Sequence, residues 1–145
     1  MTAALRVVSF DDLTSREAYD LWRLRQQVFV VEQASPYPDL DGRDVDPTTR
    51  HLLLQEAGEL VGCLRLLEDP DALRIGRVAV AQDARGRGLA GRLMDEAMRL
   101  VGDRPVRLDA QTGLVRFYAS YGFAVSGPEF VEDGVAHVPM ARPGV

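Results

Sequence analysis

One stretch of the chain, residues 74–94, constrains the fold most strongly. It reads RIGRVAVAQDARGRGLAGRLM, a β-branched run and a short polar segment followed by a glycine- and arginine-rich opening to an apolar run. This order predicts a strand, a turn and a helix whose N-terminus carries unpaired N–H groups and partial positive charge. Gly86, Gly88 and Gly91 allow a ligand to approach the backbone closely. The stretch therefore predicts a site for a phosphate-bearing molecule.

Two nucleotide-binding patterns compete for this stretch. Residues 86–91 match the dinucleotide fingerprint G-x-G-x-x-G, and Asp109 lies near the end of the next predicted strand, where a ribose-binding acid would sit. Against this reading, residues 82–85 separate the strand from the first glycine, and the chain left after Asp109 is too short for the rest of a doubly wound sheet. A P-loop fails because Arg92 and Leu93 stand where a lysine and a serine or threonine are required.

The 145-residue chain has the length of one domain, and its net charge of −5 argues against nucleic acid as a partner. A single cysteine excludes an internal disulfide. The absence of a long apolar run and of a signal-peptide pattern predicts a cytoplasmic protein with no membrane partner. Strand and helix signals mix, which predicts one α/β (α+β) domain over 1–145 with a mostly antiparallel first half. Strands are predicted at 5–10, 51–55, 60–67, 73–81, 105–110, 124–131 and 135–140, and helices after the capping box at Thr14, after Gly88 and over 114–121.

A long irregular segment, residues 32–50, carries five acidic residues and three prolines. Loops of this length within a compact domain are usually functional or disordered, and its apolar side chains favour order. The acidic side chains suggest a cationic substrate. A calcium loop does not fit, because Tyr37 and Thr48 stand where acidic ligands are needed, so no metal is expected. Arg25 lies on the apolar face of the first helix, where it must find a partner, line a cavity or extend to solvent.

The second half of the chain contains three motifs, in this order: the strand 77–80, the turn Arg85-x-x-Gly88-x-Ala90 and the element 117–123, FYASYGF. Together they resemble the GCN5-related N-acetyltransferases (GNAT). Further segments are similar to the ElaA subfamily, so that the resemblance covers nearly the whole chain. These segments are residues 25–33, 36–44, 50–51, 131–137 and 140–142.

The resemblance implies a GNAT fold. Its central sheet is mixed, mostly antiparallel and twisted, with about six to seven strands splayed in the middle and helices on both faces. It also implies acetyl transfer from acetyl-CoA to a primary amine of a small molecule or peptide, by direct attack in a ternary complex. A homodimer is left open.

The same resemblance implies a cofactor site at the turn and the preceding strand. The pyrophosphate would sit on the N–H groups of the turn with arginines as donors, and the pantetheine arm would pair with the edge of the strand. The amide of Val78 or a neighbour would polarise the thioester carbonyl, and Tyr118 would protonate the departing thiolate. The residues assigned to the cofactor are Val78, Ala79, Val80, Arg85, Gly86, Arg87, Gly88, Leu89, Ala90, Gln111, Phe117 and Tyr118.

The acceptor side is less defined by the sequence. The candidates for a general base, acting directly or through water, are Glu32, His51 and Asp109. The residues assigned to catalysis are Tyr118, Val78 and Glu32. Each candidate also has a structural explanation, as a salt bridge, a strand end or a helix cap. The residues assigned to the acceptor are Arg25, Glu32, Gln33, His51, Arg77 and Asp109.

Two other functions are compatible with these motifs. Acyl-homoserine-lactone synthases resemble the Arg-x-x-Val-Phe-x-x-Glu segment at 25–32, although they are longer and lack so regular a turn. A non-catalytic module that senses acetyl-CoA would use the same cofactor residues. Thiol release against amines, and lactone formation from S-adenosylmethionine, separate these alternatives.

Overall fold

The computed structural model describes residues 2–145 and forms the predicted succession of strands and helices. The strands are β1 (Ala4–Val8), β2 (Arg50–Glu56), β3 (Glu59–Glu68), β4 (Leu73–Val80), β5 (Val106–Gln111), β6 (Ala124–Val125), β7 (Phe130–Glu132) and β8 (Val135–Arg142). The α-helices are α1 (Ser15–Arg25), α2 (Leu89–Val101) and α3 (Val115–Ala119). A π-helix (Gln26–Glu32) continues α1, and single 3-10 turns lie at Phe10–Asp12, Gln82–Ala84 and Thr112–Leu114.

All strands join one mixed sheet in the order β1-β2-β3-β4-β5-β8-β6, with β7 also pairing with β8. Every pair is antiparallel except β4 with β5. The predicted fold class is confirmed, although residues 2–145 form eight strands where about six to seven were expected. The segment 124–131 divides into β6 and β7 because Gly127 and Pro128 interrupt it, and proline has no N–H to donate to a ladder.

The sheet splays between its two central strands. β4 and β5 are paired only at Leu73 with Val106 and at Arg74 with Arg107, after which they diverge. β4 also bulges against β3, where the register shifts and Arg77 adopts a φ of +51°. The second half of β4 therefore presents an open edge to a gap in the sheet.

Helices cover both faces of the sheet, and the pleat divides the core between them. Leu52 and Leu54 point into the cluster that contains α2, whereas Leu53 points into the smaller cluster that contains Leu21 of α1. This alternation is expected of a strand that is buried on both sides. The two helices thus hold the central strands, and the gap between those strands, in a fixed position.

The first helix begins as the sequence predicts and ends differently. Thr14 accepts a hydrogen bond from Glu17 N while the Glu17 side chain accepts from Thr14 N, which forms the predicted capping box. After Arg25 the helix widens into a π-helix that ends at Glu32. Turns of this type occur often at functional sites. Within residues 2–145, no helix has both the length and the apolar character that crossing a membrane requires.

Candidate functional site

A cleft of about 910 Å³ lies at the gap between β4 and β5. One wall comes from the open half of β4, and the opposite wall from β5 and the start of α3. The π-helix and the β7–β8 hairpin border the same space, where Ser35 Oγ donates a 2.6 Å hydrogen bond to Asp133 O. The predicted cofactor residues that line the cleft are Val78, Ala79, Val80, Arg85, Gly86, Gly88, Leu89, Ala90, Gln111, Phe117 and Tyr118.

The glycine-rich turn fits an anionic ligand at one end of this cleft. Gly86 and Gly88 have φ values of +78° and +75°, which only glycine adopts without strain. Gly88 is also the N-cap of α2 and supplies no side-chain hydrogen bond, so the first N–H groups of α2 lack a capping partner. A Cβ at either glycine would meet no atom within 4 Å, which leaves the backbone open to an incoming group. These features match what a pyrophosphate requires.

The arginine side chains of the turn have partners within the protein. Arg85 makes a bidentate pair with Glu32, with bonds of 2.6 and 2.8 Å. Arg87 makes a bidentate pair with Glu56 of β2 and lies outside the cleft, and Arg92 donates to Ala3 O. The Arg87 side chain does not line the cleft, because the carboxylate of Glu56 holds it on the far side of the turn, so the prediction that Arg87 binds the cofactor rests on its backbone N–H.

The open edge of β4 carries backbone amides that face the gap. Ala81 N donates a 2.8 Å hydrogen bond to Val61 O on β3. Because successive amides of a regular strand point to opposite edges, the amide of Val80 points away from β3 and towards β5. Val78 follows the bulge, and its amide also points away from β3, because the carbonyl of the same peptide bond, Arg77 O, contacts Cys63 Sγ. β5 pairs with β4 only at the other end of the strand. Val78 and Val80 therefore present donors to the cleft.

Tyr118 is buried in the wall of the cleft opposite β4. Only 7% of its surface is exposed, and burial raises the pKa of its phenol to about 12. Phe117 and Phe123 pack edge-on against its ring. The side chain is thus held by apolar contacts, and its hydroxyl is available as a protonated donor.

Glu32 is ion-paired with Arg85, whereas a general base needs a carboxylate that is free to accept a proton. Hydrogen bonds from Arg85 lower the pKa of its carboxyl, which makes it a weaker proton acceptor. It lines the cleft but ties the end of the π-helix to the glycine-rich turn. The ion pair with Arg85 therefore favours a structural role for Glu32 over the predicted role of general base.

Arg25 and His51, two predicted acceptor ligands, lie outside the cleft. Each is 1% exposed. Arg25 donates to Asp39 and Asp44, and His51 Nε2 lies 3.0 Å from Asp44 O. Contact with the acceptor, which the sequence predicted for both, finds no support in these positions, because buried polar groups need partners and the acidic loop, residues 33–49, supplies them.

Gln33, Arg77 and Asp109 do line the cleft. Asp109 Oδ2 is 3.6 Å from Arg74 Nη1, and this ion pair is half-exposed. Asp109 is therefore the remaining candidate for a base among the three carboxylate and imidazole groups proposed from the sequence.

The acidic loop is neutralised by arginines rather than open to a cation. Arg65 donates to Asp41 at 2.6 Å and to Asp44 at 3.1 Å. Arg43 of the same loop pairs with Asp46 and Asp69. Within residues 2–145, no group of three or more histidine, cysteine or acidic residues is arranged to hold a metal. The carboxylates thus stabilise the loop through ion pairs.

Sequence reasoning missed several residues that border the cleft, namely Ser35, Tyr37, Arg65, Arg74 and His137. Arg65 left a signal, because it interrupts the apolar run 60–67 of β3 and is only 4% exposed. Neither Ser35 nor Tyr37 lies in a periodic segment, so no pattern distinguishes their positions.

Acidification is expected to lower the free energy of unfolding in two steps. Burial lowers the pKa of His51, so the unfolded state gains protons first as the pH falls below about 6.5. Burial raises the pKa of Asp44, but Arg25 and Arg65 outweigh it, and the net pKa lies below the ordinary value. The stabilisation from Asp44 is therefore complete above about pH 3.9 and is lost below it. Urea unfolding across this range measures both steps.

A His51→Gln variant provides the control for the acid titration. It removes the imidazole that titrates first, so the loss of stability below about pH 6.5 is expected to disappear while the loss at lower pH remains. A stability that is constant from neutral pH down to about pH 4 in the unmodified protein would contradict this prediction.

Comparison with known proteins adds an independent line of evidence. The family model described as an acetyltransferase (GNAT) domain matches residues 11–142. A UPF0039 protein of Mycobacterium tuberculosis is 50% identical over 149 residues, covering 99% of this chain and 96% of the relative. Protein ElaA of Escherichia coli is 40% identical over 138 residues, covering 90% of each chain.

Two crystal structures resemble this chain over nearly its whole length. An acyl-CoA N-acyltransferase from Pseudomonas aeruginosa superposes with a TM-score of 0.92 at 39% identity, covering 97% of this chain and 99% of that one. Escherichia coli ElaA superposes with a TM-score of 0.90 at 37% identity and the same coverage. The likeness therefore includes both the fold and the sequence.

Proposed function

The chain belongs to the acetyltransferase (GNAT) family, in its ElaA-like branch, and from that premise we propose that it transfers an acetyl group from acetyl-CoA to a primary amine by direct attack in a ternary complex. One observation carries the proposal. The glycine-rich turn, the open half of β4 and Tyr118 all line the one cleft between β4 and β5.

Different parts of the cleft bind different parts of acetyl-CoA. The N–H groups at the start of α2 hold phosphate oxygens, and Arg85 adds a cationic donor beside them. The open edge of β4 pairs with the amides of the pantetheine arm, as an added strand would. Acetyl-CoA, when bound, supplies a thioester that an amine attacks.

Two groups of the chain serve the reaction itself. The Val78 amide donates towards the acyl oxygen in the gap, where negative charge develops. Tyr118 holds a proton on its hydroxyl and donates it to the departing sulfur; its raised pKa keeps that proton in place at neutral pH. Gln111 lies at the end of β5 and offers an amide to cofactor or acceptor.

We propose a cationic amine as the acceptor. The acidic residues that line the cleft support this proposal, rather than those of the acidic loop. Glu132 and Asp133 lie at the turn of the β7–β8 hairpin and line the cleft, and within residues 2–145 neither forms an ion pair. With Asp109 across the cleft, they favour a positively charged acceptor. Asp109 is proposed as the base, directly or through water.

Replacing Gly88 with alanine is expected to weaken acetyl-CoA binding about tenfold. An alanine at a φ of +75° is strained by about 1–2 kcal/mol, so the turn relaxes and its N–H groups lose their alignment. Calorimetric titration gives the Kd. Gly58→Ala is the matched control, because Gly58 has a φ of +81° but lies outside the cleft. If Gly88→Ala and Gly58→Ala lost equal stability and bound acetyl-CoA with equal affinity, the assignment of the glycine-rich turn to the cofactor site would be contradicted.

The function itself is tested by incubating the protein with acetyl-CoA and a panel of polyamines, aminosugars, amino acids and peptides. Thiol release and mass spectrometry are recorded together, and the expected result is an N-acetylated product from at least one cationic amine. Cofactor binding without thiol release across the panel would indicate a sensor module instead. Lactone formation from S-adenosylmethionine and an acyl donor would indicate a lactone synthase.

A further inference from the structure

We propose that the acidic loop, residues 33–49, acts as a clamp on β4, which means that its side chains hold the backbone of this strand in one conformation. In this clamp Asp39 holds the Arg77 guanidinium, and Arg77 in turn fixes the bulge that aims the Val78 amide into the cleft. The inference rests on the proposed function, because it concerns the amide that donates towards the acyl oxygen. It makes Asp39 and Arg77 positioning residues rather than ligands of the acceptor.

The bulge places Arg77 in an unfavourable backbone conformation. Cys63 pairs with Ala79 and Arg65 pairs with Gly76, so β4 contains one residue more than β3 across this interval. Arg77 takes up the extra length with a φ of +51°, a left-handed value that side chains other than glycine rarely adopt. Such a conformation persists only where the surrounding structure holds it.

The Arg77 side chain is held on several sides by the loop. Its Nε lies 2.8 Å from Asp39 Oδ1, and its Nη2 donates to Asp39 O at 3.1 Å. Nη2 is also 3.5 Å from Asp41 Oδ2, and the guanidinium lies 5.5 Å from the centre of the Tyr37 ring. A guanidinium bound in this way fixes the direction of the chain from which it extends.

Asp39 is itself anchored to the helical layer. Its side chain is 10% exposed and accepts a 2.8 Å hydrogen bond from Arg25 Nε and a 2.6 Å hydrogen bond from the Tyr37 hydroxyl. Arg25 ends α1, which packs on the sheet. The carbonyl of Arg77 has a separate contact, since Cys63 Sγ donates to it at 3.5 Å. Contacts therefore run without a break from α1 through Asp39 to the bulge.

The consequence concerns the peptide group that follows Arg77. Its N–H belongs to Val78, and its direction is set by the backbone angles of Arg77. Holding the guanidinium and the carbonyl of Arg77 at the same time leaves this peptide group little freedom to rotate. The loop that the sequence linked to the acceptor thus acts on the reaction through the backbone of β4.

The decisive experiment uses Arg77→Gly, because glycine accepts a φ of +51° without strain but lacks the guanidinium. Asp39→Asn removes the charge that holds Arg77, and Asp46→Asn is the matched control in the same loop, since Asp46 pairs with Arg43 and makes no contact with Arg77. Two readouts are used. One is the carbonyl band of bound [1-¹³C]acetyl-CoA in isotope-edited infrared spectra; the other is the Val78 amide resonance in NMR spectra of the protein alone.

In the unmodified protein and in Asp46→Asn, we expect the carbonyl band to shift to lower wavenumber on binding and the Val78 amide to give one sharp resonance. In Arg77→Gly and Asp39→Asn, we expect loss of most of the shift and broadening of the resonance, with Arg77→Gly as thermally stable as the unmodified protein. A full shift and a sharp resonance in Arg77→Gly would overturn the clamp and leave the proposed function intact. No shift in the unmodified protein would overturn the proposed function and the inference with it.

Discussion

Replacing Tyr118 with phenylalanine is expected to lower kcat for acetyl transfer by about 10²-fold or more, with little change in acetyl-CoA affinity. The hydroxyl is the only polar atom removed, and general acids typically contribute about 10²–10⁴-fold to a rate. Because burial raises the pKa of Tyr118 to about 12, the loss should be similar across neutral pH. Steady-state thiol release with the best amine of the panel gives kcat, and calorimetry gives the Kd.

Tyr121→Phe is the matched control for this prediction. Tyr121 lies one helical turn further along, where its hydroxyl donates a 3.3 Å hydrogen bond to Gly91 O. Its loss is expected to change kcat by less than a few fold. If Tyr118→Phe retained the unmodified kcat, a different group would have to protonate the leaving sulfur, and Tyr118 would be a packing residue only.

Replacing Arg25 with alanine is expected to lower the free energy of unfolding by about 3–5 kcal/mol. Arg25 is 1% exposed and donates to Asp39 at 2.8 Å and to Asp44 at 2.7 and 3.1 Å. Its removal leaves two carboxylates without their main cation in a buried place, where the cost of desolvation is high. The loop 33–49 is expected to detach with it, and urea denaturation measures the change.

Arg43→Ala separates this effect from a general effect of charge in the loop. Arg43 also forms two ion pairs, with Asp46 and Asp69, but it is half-exposed, and exposed pairs contribute about 1 kcal/mol or less. A loss of stability in Arg25→Ala no larger than in Arg43→Ala would mean that the buried network carries little of the stability of the fold.

Local signals account for what the sequence predicted well. The capping box at Thr14 depends on residues within one turn of each other, and it is found where it was predicted. The five residues between β4 and Gly86 form a 3-10 turn and its two caps, and this spacer distinguishes the glycine-rich turn from a dinucleotide fingerprint. Patterns of this kind are independent of distant partners.

Long-range pairing accounts for what the sequence predicted poorly. Arg85 and Glu32 are 53 residues apart, and Arg87 and Glu56 are 31 residues apart. Which carboxylate meets which guanidinium depends on the packing of the sheet, and composition carries no information about it. The ion pairs of Glu32 and Arg25 were not predicted for that reason, whereas the position of Tyr118 in the wall of the cleft agrees with a prediction from a short local motif, residues 117–123.

The central claim, that the turn from Arg85 to Gly91 belongs to an acyl-CoA site, is tested most directly by calorimetric titration of the protein with acetyl-CoA and with NAD under the same conditions. The account predicts saturable binding of acetyl-CoA at one site and no measurable binding of NAD. Binding of NAD without binding of acetyl-CoA would contradict it.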